Sequence, residues 1–160
     1  MFDLPLDELG TMLVRLGGAL FIGGLLGIDR DLHHKPAGVR VLSLVTLGAA
    51  LVVMVSEAAI GGIKGTQIGE GALRTVQGIL SGIGFLGAGV IIHSGTARGS
   101  ESTHGLTTAA TIWVAAGLGI ACGLGQWLIA LVAAILALLV TIAGRKFETV
   151  LQRWQTPREP

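Results

Sequence analysis

Charged residues and aromatic side chains are scarce in this 160-residue chain, which has no tyrosine and a single cysteine. Charged residues make up 13% of the chain and hydrophobic residues 51%, and the mean hydropathy is +0.75, so a soluble domain is excluded. One cysteine, Cys122, allows neither an intramolecular disulfide nor a cysteine metal cluster. A net charge of +1 without a basic cluster argues against nucleic acid as a partner. The composition is that of an integral membrane protein in a lipid bilayer.

Five apolar segments lie at residues 9–28, 41–60, 75–92, 106–121 and 127–143. A bilayer-spanning helix needs about twenty such residues. The pattern predicts an all-α, polytopic bundle of about five transmembrane helices over residues 1–144, followed by a short cytoplasmic tail at 145–160 with an interfacial helix. The fourth and fifth segments are separated by a few residues and predict a tight helical hairpin, with a re-entrant pair as the alternative. The acidic amino terminus is unlike a signal peptide, so we expect the first span to be retained.

Lysine and arginine are distributed unequally between the two sides of the predicted bundle. The richer side carries Arg30, Lys35, Arg40, Arg98, Arg145, Lys146, Arg153 and Arg158. The other side has Lys64 and Arg74. Because positive loops stay in the cytoplasm, we expect the amino terminus outside and the carboxyl terminus in the cytoplasm.

Small residues recur at helical spacing in several spans. The third span, residues 75–92, holds the helix-packing candidates Gly78, Gly82, Gly84, Gly87 and Gly89. Gly23 with Gly27, and Ala115 with Gly119 and Gly123, make similar strips, which allow membrane helices to cross closely. The alternative is that glycine is simply common in membrane helices. Residues 82–87 also fit G-x-G-x-x-G, but no strand precedes them, so a nucleotide site is not expected.

Ionisable groups inside a span are candidates for function, because they are costly in hydrocarbon unless paired or hydrated. Arg15 and Glu57 lie at nearly the same depth and can pair, with Arg74 and Gln77 close to that depth. The four residues predict a polar pocket that opens outward. The alternative is an arginine that snorkels to the headgroups and a glutamate already in the interface.

The opposite side has a dense loop of alternating charge after the first span. Asp29 with Arg30 or Arg40 predicts an inner gate or a docking surface, and a solvated loop that sets topology is the alternative. Thr107 and Thr108 begin the fourth span, where we expect them to cap free amides rather than offer hydroxyls to an ion.

No metal, cofactor or catalytic group is predicted by residue spacing. The four histidines have no zinc-ligand spacing, and Glu57, with Asp29 at a border, gives one protomer too few carboxylates for a dehydrated magnesium cage. A hydrated ion path at an oligomer interface stays open. No nucleophile, base and orienting group come together, so we expect no enzyme and no cofactor.

Several motifs together resemble the membrane domain of the MgtC/SapB family. They are residues 23–30, Lys35-Pro36-Ala37-Gly38-Val39-Arg40, Arg74, Ser81-Gly82-Ile83-Gly84-Phe85-Leu86-Gly87-Ala88-Gly89 and residues 105–116. The resemblance covers nearly the whole chain and implies a bacterial inner-membrane protein linked to magnesium-limited growth. It places the family's patterned polar residues at Arg15, Asp29, Arg30, Arg40, Arg74, Thr107 and Thr108, which favours a functional role for the loop from Asp29 to Arg40.

The resemblance also implies a regulatory partner, since the family's virulence members are thought to act on the ATP synthase and so on the proton-motive force. Aspartates at 29 and 31 stand where many relatives have glutamate. We also expect the chain to be without the ACT-like carboxyl-terminal domain of the virulence members, which would argue against a virulence role. We therefore expect a homo-oligomeric modulator of ion homeostasis or membrane energetics that binds a membrane partner. The alternative is a magnesium or potassium transporter or channel.

Overall fold

The computed structural model describes residues 6–60, 66–97 and 103–155, and within these ranges the chain is helical with no strand. The helices are α1 (Leu6–Leu32), α2 (Val39–Ile60), α3 (Thr66–Ala97), α4 (Thr103–Gly123) and α5 (Trp127–Gln155). Each contains a segment long and apolar enough to cross a membrane. The prediction of an all-α bundle with about five spans is confirmed.

The helices extend beyond the apolar segments that predicted them. The clearest case is α5, which continues from its membrane-spanning segment Trp127–Gly144 to Gln155 without a break. Residues 145–155 therefore prolong α5 rather than form a separate helix. Hydropathy marks where a helix can meet lipid, whereas the backbone hydrogen bonds of a helix can continue beyond that point into water.

Successive helices alternate in direction, so the bundle has two ends. Contacts of Arg15 with Glu57 and Gly123 define the end that we call the Arg15 end. Contacts of Arg30 with Thr108 and Thr111 define the opposite, Arg30 end. The two sides predicted from the loops therefore correspond to two real ends of the bundle.

Helix α4 lies at the centre and packs against the other four helices. Its close neighbour is α2: a Cβ at Gly119 would lie 2.8 Å from the Cβ of Ala49, and one at Gly123 would lie 2.8 Å from the carbonyl oxygen of Ala50. A Cβ at Gly23 of α1 would similarly overlap the backbone of α2. The prediction that these small residues form close helix crossings is confirmed.

The same prediction for α3 is wrong for most of its glycines within one chain. Of the five candidates, Gly87 alone has a close neighbour among the described residues, since a Cβ there would lie 3.4 Å from the Cβ of Ala109. No described atom comes within 4 Å of a Cβ built at the others, Gly78, Gly82, Gly84 and Gly89. Spacing identifies a small-residue face but not the direction in which that face points.

A glycine turn joins α4 to α5 at the Arg15 end. The amide of Gln126 donates to the carbonyl of Ala121 and that of Gly125 to Cys122, while Gly125 has a φ of 71°. This is the Schellman motif, in which a left-handed residue ends a helix. The predicted helical hairpin is present, and α4 is one continuous helix rather than half of a re-entrant pair.

Candidate functional site

A buried arginine occupies the Arg30 end of the bundle. Arg30 is 3% exposed, and its Nε and Nη2 donate to the carbonyl oxygen of Pro36 at 3.0 and 2.8 Å. Its Nη2 also donates to the hydroxyl of Thr108 at 2.5 Å, and its Nη1 to that of Thr111 at 3.2 Å. We call Arg30, Pro36, Thr108 and Thr111 the Arg30 site.

The two threonines of this site lie one turn apart on α4, so their hydroxyls share one face of the helix. Thr108 is fully buried, and the hydroxyl of Thr111 donates to the carbonyl of Thr107 at 2.8 Å, which leaves its lone pairs to accept from Arg30. A guanidinium has five N–H donors in a fixed plane. The Arg30 site therefore ties the end of α1 both to the following loop and to the central helix.

The end of α1 has a geometry that turns the loop back towards Arg30. The amide of Lys35 donates to the carbonyl of Arg30 and that of His34 to Asp31, with His34 at a φ of 51°. This is again a Schellman motif, here with a histidine where glycine is usual. Reversing the chain within these residues brings the Pro36 carbonyl within reach of the Arg30 guanidinium.

Asp31 caps the next helix. Its Oδ2 accepts a hydrogen bond from the amide of Val39, the first residue of α2, at 3.0 Å. The carboxylate lies so close to Gly38 that a Cβ there would overlap Asp31 Oδ1. A negative charge at a helix amino end satisfies an orphan amide and favours the helix dipole. Residue 38 must therefore be glycine, because any side chain there would overlap the capping carboxylate of Asp31.

The sequence offered Asp29 two cationic neighbours in this loop, Arg30 and Arg40. The Nδ1 of His33 lies 2.7 Å from the carbonyl oxygen of Asp29 and 3.8 Å from its carboxylate Oδ1. Arg40 is exposed and forms no hydrogen bond with another described residue. The expected pairing of Asp29 with Arg40 is therefore absent from the described part of the chain.

A second polar group lies at the Arg15 end. Arg15 Nη1 donates to Glu57 Oε2 at 2.7 Å and to the carbonyl oxygen of Gly123 at 2.8 Å. The side chains of Arg15 and Glu57 are 25% and 43% exposed. Arg15 places a cation at the carboxyl end of α4, where free carbonyls and the helix dipole favour positive charge. The sequence allowed Arg15 either to pair with Glu57 or to extend to the headgroups, and the structure shows the pair.

An open cleft of about 530 Å³ adjoins Arg15. Its walls come from the first turns of α1 and from the α4–α5 turn, and they include Asp7, Thr11, Leu124 and Trp127. The Trp127 ring packs over Gly18, where a Cβ would lie 2.6 Å from the ring. Of the four residues predicted to form an outward-opening pocket, Arg15 is among those that line this cleft.

Glu57 contacts Arg15, but the other two residues predicted for that pocket lie elsewhere. Arg74 and Gln77 are exposed on α3 and form no hydrogen bond with another described residue. The prediction of a four-residue pocket is therefore wrong for this pair. Helix rotation, which hydropathy does not fix, turns both side chains away from the Arg15–Glu57 pair.

The threonines of α4 correct a further prediction. Helix α4 begins at Thr103, so Thr107 and Thr108 lie inside the helix rather than at its cap. Thr108 binds Arg30 instead, and Thr107 is exposed. Thr111 was missed as a site residue. Its spacing of three from Thr108 was the available signal, but nothing in the sequence linked that face to Arg30.

Within the described ranges, no group of three or more histidine, cysteine, aspartate or glutamate side chains is placed to hold a metal ion. The geometry at both ends is that of arginines held by oxygen acceptors from neighbouring helices. Such contacts fix helix positions and leave charged surface around them.

Comparison with known proteins identifies the wider group. A sequence profile of the MgtC family matches residues 16–150. Protein SrpB of Synechococcus elongatus is 41% identical over 146 residues, covering 89% of this chain and 79% of SrpB. Protein MgtC of Salmonella typhimurium is 39% identical over 134 residues, covering 84% of this chain and 52% of that protein.

Protein MgtC of Brucella abortus is 39% identical over 137 residues, covering 86% of this chain and 52% of that protein. The chain thus spans about half the length of the MgtC relatives that it matches. No solved structure matches it significantly.

Proposed function

Because the chain belongs to the MgtC family, we propose that it modulates magnesium-linked ion homeostasis or membrane energetics by binding a membrane partner. The proposed location is the bacterial inner membrane, with the amino terminus outside and the carboxyl terminus in the cytoplasm. This orientation places the Arg30 end, which is rich in basic residues, in the cytoplasm. The proposed role is regulatory rather than enzymatic.

The observation that carries this proposal is the way in which the inward-pointing arginines are held. Arg30 is closed in by a carbonyl and two hydroxyls, and Arg15 by Glu57 and the Gly123 carbonyl. Groups on a conduction path must exchange their partners with a passing ion. Hydrogen bonds of 2.5 to 3.2 Å from these charged donors instead favour a fixed structural role.

The interior between the two arginines supports the same conclusion. Fifteen positions of α1 separate Arg15 from Arg30, which is about 22 Å along a helix. The described core of the bundle includes the small or apolar residues Ala19, Leu26, Leu42, Ala50, Ala115 and Cys122. Thr46 is also buried there, but its hydroxyl donates to the carbonyl of Ser43. A single protomer therefore offers an ion few ligands in this region.

A second candidate is a cation transporter or channel for magnesium or potassium. It is favoured by the cleft beside Arg15 and by the exposed fraction of Glu57, 43%, which leaves that carboxylate accessible to a hydrated cation. On this alternative the Arg15–Glu57 pair is the outer end of a path and the Asp29 to Arg40 loop its inner end. An oligomer interface is the route that fits it best.

For the regulatory function, the partner implied by the family resemblance is the ATP synthase. The exposed Arg40 beside the Arg30 site is a suitable contact for an acidic surface of a partner, because its guanidinium has no hydrogen bond with another described residue. Arg40→Gln should therefore leave the fold intact and weaken the interaction.

ATP-driven proton pumping in inverted inner-membrane vesicles tests this proposal. We expect the wild-type chain to alter pumping, and equal amounts of the Arg40→Gln variant to alter it less. The Arg15-end variant Glu57→Gln serves as a control at the opposite side of the bundle. Pumping that is the same with and without the wild-type chain would contradict the ATP synthase as partner.

A further inference from the structure

The outward face of α3 carries polar side chains in a row. Glu70, Arg74, Gln77 and Ser81 are all exposed, and their spacing of three or four residues places them on one side of the helix. The opposite side of α3, which includes Val76, Leu80 and Ile83, packs against the bundle. The polar row therefore points away from the rest of the chain.

Lipid alone is a poor environment for this face. Ser81 lies eleven positions after Glu70, the start of the membrane-spanning segment, so the row reaches about 16 Å into the span, near the bilayer centre. Gln77 and Ser81 form no side-chain hydrogen bond with another described residue. Polar groups in hydrocarbon need partners, and the amide of Gln77 has both donors and acceptors to satisfy.

We propose that this α3 face, defined by Glu70, Arg74, Gln77 and Ser81, binds the same face of a second copy of the chain. Copies inserted in the same orientation are related by an axis along the membrane normal, so identical residues meet at equal depth. Gln77 can then donate to and accept from its counterpart. Ser81 meets its counterpart one turn deeper.

Charge complementarity also favours a second copy over a different protein. Glu70 and Arg74 have opposite charges one turn apart on the same face, so Glu70 of one copy can reach across this one-turn offset to Arg74 of the other copy, and the reverse. Neither is ion-paired with another described residue of its own chain. A face with both charges and an amide is complementary to itself.

The backbone of α3 permits the close approach that these short polar side chains need. Gly78 and Gly82 flank the polar row, and a Cβ at either would have no described neighbour within 4 Å. Below them, Phe85 is 81% exposed and supplies an apolar contact for the lower half of the interface. This arrangement explains why glycines that pack against nothing in one protomer occur in this helix.

Cysteine cross-linking of the full-length chain in native membranes tests the interface. Ser81→Cys on the α3 face is compared with Leu136→Cys, a lipid-exposed position of α5 that lies nine positions after Trp127. The wild-type chain gives the baseline, because its single Cys122 is fully buried. After mild oxidation we expect several-fold more disulfide dimer for Ser81→Cys than for Leu136→Cys or wild type.

A second measurement uses energy transfer between labelled copies in liposomes. Gln77→Leu should raise the dissociation constant of the dimer roughly three- to tenfold, because an interhelical hydrogen bond is lost. Equal cross-linking at the two cysteine positions, or a dissociation constant unchanged by Gln77→Leu, would overturn the proposal. So would a chain that stays monomeric and around which Arg74→Gln lowers the enrichment of anionic over zwitterionic lipid, since the face would then bind a headgroup.

This self-association is independent of the partner that the chain regulates. Cross-linking reads only contacts between copies, whereas proton pumping reads the effect on another protein. Either result can therefore fail while the other holds.

Discussion

Removing the Thr108 hydroxyl should destabilise the bundle more than the same change at its exposed neighbour on α4, Thr107. Thr108→Val replaces the hydroxyl with a methyl group of similar volume, so packing is nearly conserved at this fully buried position. The change removes one acceptor of Arg30 Nη2, the Thr108 hydroxyl at 2.5 Å. A hydrogen bond to a charged group contributes about 1.5–3 kcal/mol, and we expect the free energy of unfolding to fall by that amount.

Matched variants separate the hydrogen bond from the volume change. Thr108→Ser keeps the hydroxyl and should recover most of the loss, while Thr107→Val makes the same substitution at the exposed neighbour and should change the stability by less than about 0.5 kcal/mol. Reversible unfolding of the purified chain in mixed micelles provides the comparison. A Thr108→Val chain as stable as Thr107→Val would refute the assignment of Thr108 as an anchor for Arg30.

Three further predictions concern packing, capping and the outer ion pair. In the same unfolding assay, Gly119→Ala should cost about 1–3 kcal/mol because its Cβ would overlap α2, whereas Gly117→Ala, with nothing within 4 Å, should be neutral or stabilising. Equal effects of the two would contradict the close crossing. Gly38→Ala should lower the stability because its Cβ would displace the capping carboxylate of Asp31. The two changes Gly38→Ala and Asp31→Ala should then be coupled, and a double mutant in which their effects simply add would contradict this. Glu57→Gln should cost less than about 1 kcal/mol because the Arg15–Glu57 pair is partly exposed, and a larger loss would indicate a tighter site.

The sequence was sufficient to predict the spans and several close crossings. Hydropathy identified all five helices because a bilayer demands a continuous apolar segment of fixed length. The packing of Gly119 and Gly123 could be predicted because small residues at a spacing of four make a smooth face. Helix ends were less accurate, since polar turns such as those that begin α3 continue the helix outside the apolar segment.

Side-chain partners depended on helix rotation, which the sequence did not provide. Arg15 contacts Glu57, one of two alternatives that the sequence left open, whereas Gln77 is exposed on α3. Arg30 is a second case in which the sequence did not identify the partners of a side chain. It donates to a backbone carbonyl and to two hydroxyls, and matching opposite charges along the sequence could not find these acceptors.

The two polar ends of the bundle divide its charged residues by role. Arg15 and Arg30 bind across helices and fix their relative positions, whereas Arg40 and Arg74 are exposed and are available to other molecules. In this account, recognition occurs at exposed charges on the periphery, and the central helix α4 serves as the scaffold that holds both anchors.

Cation flux into liposomes that contain only the purified chain tests most directly whether this protein regulates or conducts. Magnesium and potassium indicators are used in parallel, with an ionophore to confirm that the vesicles respond, and with Glu57→Gln and Arg74→Ala as variants. The account predicts no flux above that of empty liposomes for a folded, inserted chain. Flux of either cation that Glu57→Gln abolishes would contradict it and make the Arg15–Glu57 pair part of a conduction path.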